Sequence, residues 1–140
     1  LKLIEPEDEE LGLPNISYSS VLNLPSSDFQ KIIRDLSNIS GRLEIKSVGN
    51  ELIFKCNGPF ATCELRRSEG DGSMSYIHKQ DDTKVVQGEF SLKNLGYFIK
   101  CTGLCQTIEI YLENDIPLIV KYDVASLGEI KLCLAPLPSD

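Results

Sequence analysis

The sequence predicts an α+β fold in which two helices pack on one face of antiparallel sheet. Three observations carry that expectation. Apolar and polar residues alternate through most of the chain, which is the period of half-buried strands. Only two short segments switch to the 3.6-residue period of an amphipathic helix. The order strand, helix, strand, strand, strand occurs twice, so the chain is read as two βαβββ units sharing hydrophobic rhythm but not sequence.

The elements follow in order. Residues 1–15 open with Leu-Lys-Leu-Ile and continue through Glu5, Glu7, Asp8, Glu9 and Glu10, a density of carboxylates that favours a solvated, extended linker. Period-2 patterning begins at Tyr18–Leu24. Pro25-Ser26-Ser27-Asp28 starts a helix over roughly residues 26–38, with Ser27 and Gln30 spaced as a capping box and Phe29, Ile32, Ile33 and Leu36 as its apolar stripe. Three strands follow, marked by Leu43/Ile45/Val48, Leu52/Phe54/Cys56 and Ala61/Cys63/Leu65, with turns at Gly49-Asn50 and Gly58-Pro59. Residues 69–83 form a polar excursion with a short strand near Tyr76-Ile77. The second unit runs from a strand at Val85–Phe90 to a helix marked by Leu92, Leu95, Phe98 and Ile99, ending before Thr102-Gly103. Strands at Ile108/Ile110/Leu112, Leu118/Val120/Tyr122 and Ile130/Leu132/Leu134 complete it.

Composition narrows the function classes. A chain of 140 residues with 41% hydrophobic and 25% charged residues has ordinary globular composition for one domain. It contains no run of 18 apolar residues and no charged leader before an apolar stretch, so neither a membrane partner nor a signal peptide is expected. Leu1 in place of Met leads us to expect a piece of a longer chain. The five cysteines, Cys56, Cys63, Cys101, Cys105 and Cys133, lack the paired short spacings of a zinc site and are expected as free, buried thiols. His78 is the only histidine, and a lone histidine in a polar excursion is most often solvated. With no nucleophile elbow, phosphate-binding loop or metalloprotease motif, no catalytic residue, metal or cofactor is expected.

The basic residues say more. The net charge of −7 argues against binding nucleic acid, but the placement of the 14 lysines and arginines matters more than their number. Lys31 and Arg34 fall opposite the apolar stripe of the first helix, and Lys93 and Lys100 opposite that of the second. Each helix therefore shows a sparse basic face outward. Ordinary solvated faces would give the same pattern.

Longer motifs are informative in succession. Leu11-Gly12-Leu13-Pro14, Tyr18-Ser19, Leu24-Pro25-Ser26, Arg34-Asp35-Leu36-Ser37, Pro117-Leu118-Ile119-Val120-Lys121-Tyr122, Leu127-Gly128 and Leu134-Ala135-Pro136 resemble, in order and spacing, the second half of the eukaryotic sliding clamp, the proliferating cell nuclear antigen family. The resemblance covers essentially the whole chain, with a shorter excursion at 69–83. It implies a DNA-clamp fold, with residues 1–16 as an interdomain connector and 17–140 as the C-terminal domain. The implied function is that of a non-enzymatic processivity factor, a homotrimeric ring around duplex DNA that docks polymerases, a clamp loader and other motif-bearing replication and repair proteins. The implied location is the nucleus, or a viral replication site.

Site residues follow from the same resemblance. Lys31, Arg34, Lys93 and Lys100 match DNA-facing positions. Leu11, Leu13, Pro14, Ser91, Pro117, Cys133, Ala135, Pro136 and Leu137 match the partner-peptide groove. The strand Ala61–Arg67, with Ala61, Cys63, Leu65 and Arg67, falls at the subunit boundary. Two departures stand out. Cys133 replaces the family's usual aromatic two residues before Ala-Pro, which alters the docking pocket, and Gly49 replaces a lysine that many relatives modify with ubiquitin or SUMO. Together with a short acidic tail they point to a divergent, specialised or viral clamp. A subunit of a heterotrimeric checkpoint clamp is disfavoured by the intact Leu-Gly-Leu-Pro and Ala-Pro motifs, and an unrecognised small hydrolase stands as a third reading.

Overall fold

The computed structural model describes residues 18–79, 83–102, 105–124 and 128–138. The strands among them are β1 (Ser20–Pro25), β2 (Arg42–Val48), β3 (Glu51–Asn57), β4 (Thr62–Ser68), β5 (Ser75–Lys79), β6 (Val86–Ser91), β7 (Thr107–Leu112), β8 (Leu118–Val124) and β9 (Gly128–Leu134). The helices are α1 (Ser26–Leu36) and α2 (Leu92–Thr102). The linker at 1–15, including Leu11, Leu13 and Pro14, lies outside the described residues.

The strands form a five-stranded sheet, β5-β1-β7-β8-β9, and a four-stranded sheet, β4-β3-β2-β6. Each βαβββ unit therefore lends its first strand to the other unit's sheet. β1 pairs antiparallel with β7 of the second unit, and β6 pairs antiparallel with β2 of the first. Leaving β5 aside, the two sheets repeat one order, and β4 and β9, the last strands of their units, are outermost in their sheets. The excursion strand expected near Tyr76-Ile77 is β5, which adds to the edge of β1.

The two helices cover one buried cluster. Leu22 and Leu24 of β1, Phe29, Ile32, Ile33 and Leu36 of α1, Leu43, Ile45, Leu52 and Phe54 of the first unit, and Leu92, Leu95, Ile108, Ile110, Leu118 and Val120 of the second belong to it. These are the positions that the two periodicities place inward. A chain of hydroxyls, buried at Ser20 and Ser47 and half-buried at Tyr76, joins the sheets, with Ser20 Oγ 3.0 Å from Ser47 Oγ and Ser47 Oγ 2.6 Å from Tyr76 Oη.

The helix starts correct one expectation. Pro25 occupies the N-cap of α1 without any side-chain cap, so the Ser27/Gln30 capping box does not form. Instead the Ser26 N–H donates to the Gln106 carbonyl at 2.9 Å, and Gln30 Nε2 donates to the Ile99 carbonyl of α2 at 3.0 Å. The other unit does the same, since the Leu92 N–H donates to the Gly41 carbonyl at 2.9 Å. Each helix thus begins beside the exit of the other, which sets α1 and α2 antiparallel. The orphan N–H groups of a helix start find partners in tertiary structure here, and the local capping motif is superseded.

Turn chemistry fixes the hairpins. Gly49, at φ +60°, opens the two-residue β2–β3 connection, a position that needs a left-handed residue. At Gly58 the reason is contact rather than angle. A Cβ there would lie 2.2 Å from the Ile39 carbonyl oxygen, so the β3–β4 hairpin is seated directly on the backbone leaving α1.

Candidate functional site

The outward faces of α1 and α2 form one surface, because the helices pack side by side and bury their stripes in one cluster. Lys31, Arg34, Lys93 and Lys100 are all exposed on it. Lys31 Nζ pairs with Asp35 at 3.1 Å, so one carboxylate offsets part of the charge. Lys100 Nζ lies 5.7 Å from the centre of the Tyr97 ring, which is itself 54% exposed. Tyr97 was not singled out from the sequence. Its spacing of four from Lys93 and three from Lys100, in the polar phase of α2, is the signal that could have found it.

The strand at 61–67 is observed as β4, with β3 as its one neighbour among the described residues. The Gly58 N–H donates to the Ala61 carbonyl at 2.7 Å, which sets the phase of the ladder. Cys63, Leu65 and Arg67 turn their backbone groups to β3, whereas Thr62, Glu64 and Arg66 turn theirs outward. The side chains divide the same way. Cys63 and Leu65 pack on the core, and Arg67 reaches Asp28 at the start of α1. Ala61 is exposed and lies just before the strand.

The opposite edge of that sheet is covered. Along β6, the Asn114 side chain accepts from the Gln87 N–H at 2.8 Å and donates to the Val85 carbonyl at 3.2 Å. The Leu137 N–H then takes the Glu89 carbonyl at 2.7 Å, and Arg42 ties the tail down through the Pro138 carbonyl at 2.8 Å.

The expected docking residues that are described lie on the outer face of the five-stranded sheet, in the tail that follows β9 and at the start of α2. Pro136 and Leu137 border an open cleft of about 970 Å³ shared with Arg42, Gln87, Glu89 and Asn114. Ser91 accepts the Asn94 N–H at the start of α2. Pro117 and Cys133 belong to the outer face of the five-stranded sheet. There Tyr18 Oη donates to the Pro117 carbonyl at 3.1 Å, and the Tyr18 ring meets Tyr111 edge-on at 5.8 Å. Cys133 stands opposite Ile119, and Ile119 opposite Tyr111, so an apolar row crosses β9, β8 and β7. Burial, and next the neighbouring Cys133 and Glu113, push the Tyr18 phenol above its usual value. Tyr18, Tyr111 and Ile119 were missed from the sequence. Their signal is apolar character in the solvent phase of the alternation.

Cys133 is exposed and Ala135 beside it is exposed, whereas Cys56 is buried and Cys63 and Cys105 are half-buried. The Cys101 side chain lies outside the described part. The expectation of buried thiols is met at Cys56, only partly at Cys63 and Cys105, and corrected at Cys133. Its strand edges the sheet and its side chain faces away from the core.

Comparisons with known proteins agree with one another. Residues 12–137 match the model of the family described as proliferating cell nuclear antigen, C-terminal domain. The chain is 36% identical over 143 residues to the "Probable DNA polymerase sliding clamp 1" of Paramecium bursaria Chlorella virus 1, covering 99% of this chain and 53% of the relative. It is 34% identical over 137 residues to the "Probable DNA polymerase sliding clamp" of Acanthamoeba polyphaga mimivirus, covering 98% of this chain and 29% of the relative. Among solved structures it superposes on the proliferating cellular nuclear antigen of Entamoeba histolytica with a TM-score of 0.78 at 25% identity, over 99% of this chain and 54% of that one. The chain thus spans about half the length of the first relative and under a third of the second.

Proposed function

Because the chain belongs to the proliferating cell nuclear antigen family, matching its C-terminal domain, we propose that it serves as half of a sliding-clamp subunit, within a homotrimeric ring that encircles duplex DNA. The observation that carries this is the paired helix surface. Four exposed basic side chains, Lys31, Arg34, Lys93 and Lys100, share it in a chain whose net charge is −7. A sparse basic surface contacts phosphates without reading bases, and a ring that cannot leave sideways needs no tighter grip. Tight contacts would stop it sliding.

The open edge of β4 supports the ring. Its outward N–H and C=O groups suit antiparallel pairing with a strand of a neighbouring subunit, and the covered β6 edge leaves that pairing no rival in the same sheet. For partners, the row of Tyr111, Ile119 and Cys133 with Tyr18 and Pro117 offers an apolar seat for short motifs of polymerases and other replication and repair proteins. Such a protein works in the nucleus or at a viral replication site, and its role is topological rather than enzymatic.

The test uses the full-length protein loaded on nicked circular DNA by its clamp loader. We expect retention on the circle at high salt and rapid loss when the circle is cut. Charge reversal at Lys31, Arg34, Lys93 and Lys100 should weaken loading or speed sliding while the fold remains. Equal retention on circular and linear DNA would sink the topological mechanism.

A further inference from the structure

Resting on the clamp reading, we infer that Tyr97 is an uncharged contact to the DNA backbone that sets how fast the ring slides. Tyr97 follows Lys93 by four positions and precedes Lys100 by three, so the three side chains share the outward face of α2. At 54% exposure it is one of the few large apolar side chains left in solvent, and among the described residues its hydroxyl has no hydrogen-bond partner. The buried side of α2 is already filled by Leu92, Leu95, Phe98 and Ile99, so Tyr97 contributes nothing to the core.

The ring does have a local task. The Lys100 ammonium sits 5.7 Å from its centre, close enough for the ring face to hold the cation. A flexible lysine is thereby kept beside a phenol that offers an O–H donor. Phosphodiester DNA answers both groups, with anionic oxygens for the ammonium and phenol and an apolar deoxyribose face for the ring. The two kinds of contact differ in one measurable respect. A lysine–phosphate contact releases counterions and weakens with salt, whereas a neutral hydrogen bond and ring contact do not.

The experiment measures one-dimensional diffusion of the full-length, loaded clamp on stretched duplex DNA across a salt series. Four proteins are compared: wild type, Tyr97→Phe, Tyr97→Ala and Lys93→Ala. Removing the hydroxyl in Tyr97→Phe should raise the diffusion coefficient by about two- to tenfold, the range spanned by one neutral hydrogen bond, with the salt dependence unchanged. Tyr97→Ala should match or exceed that rise and, by freeing Lys100, should also shift the salt dependence. Lys93→Ala should flatten the salt dependence by itself. If Lys93→Ala responds and both Tyr97 variants slide as the wild type does, this inference is overturned and the clamp reading stands. If none of the three variants responds, the basic helix surface is not the DNA contact and both fall.

Discussion

Arg67 on the edge strand β4 grips Asp28 in the first turn of α1 through two guanidinium bonds, Nε to Oδ2 at 2.6 Å and Nη2 to Oδ1 at 3.0 Å. The side chains are 23% and 25% exposed, and the bond to Asp28 is the main cause that raises the Arg67 pKa above its ordinary value. A strand with one ladder neighbour is thus held from its inner face. Truncating Arg67→Ala should cost about 2 kcal/mol of stability, as for a partly buried, charge-assisted pair, and Arg67→Lys should recover less than half of it. Urea unfolding of both variants, with Asp28→Ala to close a double-mutant cycle, measures the coupling. A coupling near zero would show the pair to be incidental.

Edge pairing makes a sharper prediction. The Glu64 N–H points away from β3, so Glu64→Pro removes an outward donor without breaking an internal ladder bond, a strand setting in which proline is tolerated. In the full-length protein we expect a folded chain that no longer closes into a trimer. Native mass spectrometry reads the assembly and circular dichroism the fold. Trimers at wild-type abundance would exclude this edge from the subunit contact.

Docking is expected on the outer face of the five-stranded sheet rather than in the tail cleft. Cys133→Glu puts a charge into the row formed with Ile119 and Tyr111. It should weaken binding of a motif peptide by at least tenfold, about 1.4 kcal/mol. Leu137→Glu, in the tail cleft, should change it by less. Calorimetric titration of the full-length variants decides between them, and the reverse ranking would move the site to the cleft.

Stability should fall at acid pH through Glu113. Burial pushes its carboxyl upward, but bonds from the Ser19 hydroxyl and N–H, the Asn114 N–H and Lys84 outweigh that and hold it below the usual 4.5. A folded-state pKa below the unfolded one means the contribution is whole above 4.5 and is lost as pH drops through the lowered value. Glu113→Gln should therefore be less stable than wild type at neutral pH, with the gap closing on acidification. Thermal unfolding from neutral to acid pH would show it, and a gap independent of pH would refute the assignment.

Short-range pattern revealed most of the elements and little of their arrangement. Phe29, Ile32, Ile33 and Leu36 marked α1 because burial imposes a 3.6-residue period on any helix lying over a core. Ile108, Ile110 and Leu112 marked β7 by the period of two. Nothing local records that β1 lies beside β7, or that Gln30 bonds to Ile99 instead of closing a capping box. Those choices depend on groups that only the folded chain brings near. The outer row was hidden for a related reason. Tyr111 and Ile119 look like ordinary strand residues until register places them beside Cys133.

The exchange of first strands between the two units has a consequence for biogenesis. β1 lies between β5 and β7, and β7 is made most of the chain later, while β6 closes back on β2. At about 5–20 residues per second of synthesis, β1 waits several seconds before β7 can pair with it. Neither unit forms a complete sheet alone, so both sheets close only once strands of both halves are present. Contacts so distant in sequence also make folding slow relative to helical proteins of equal size. The interlock that unites the finished domain therefore leaves both sheets of the growing chain incomplete until late in synthesis.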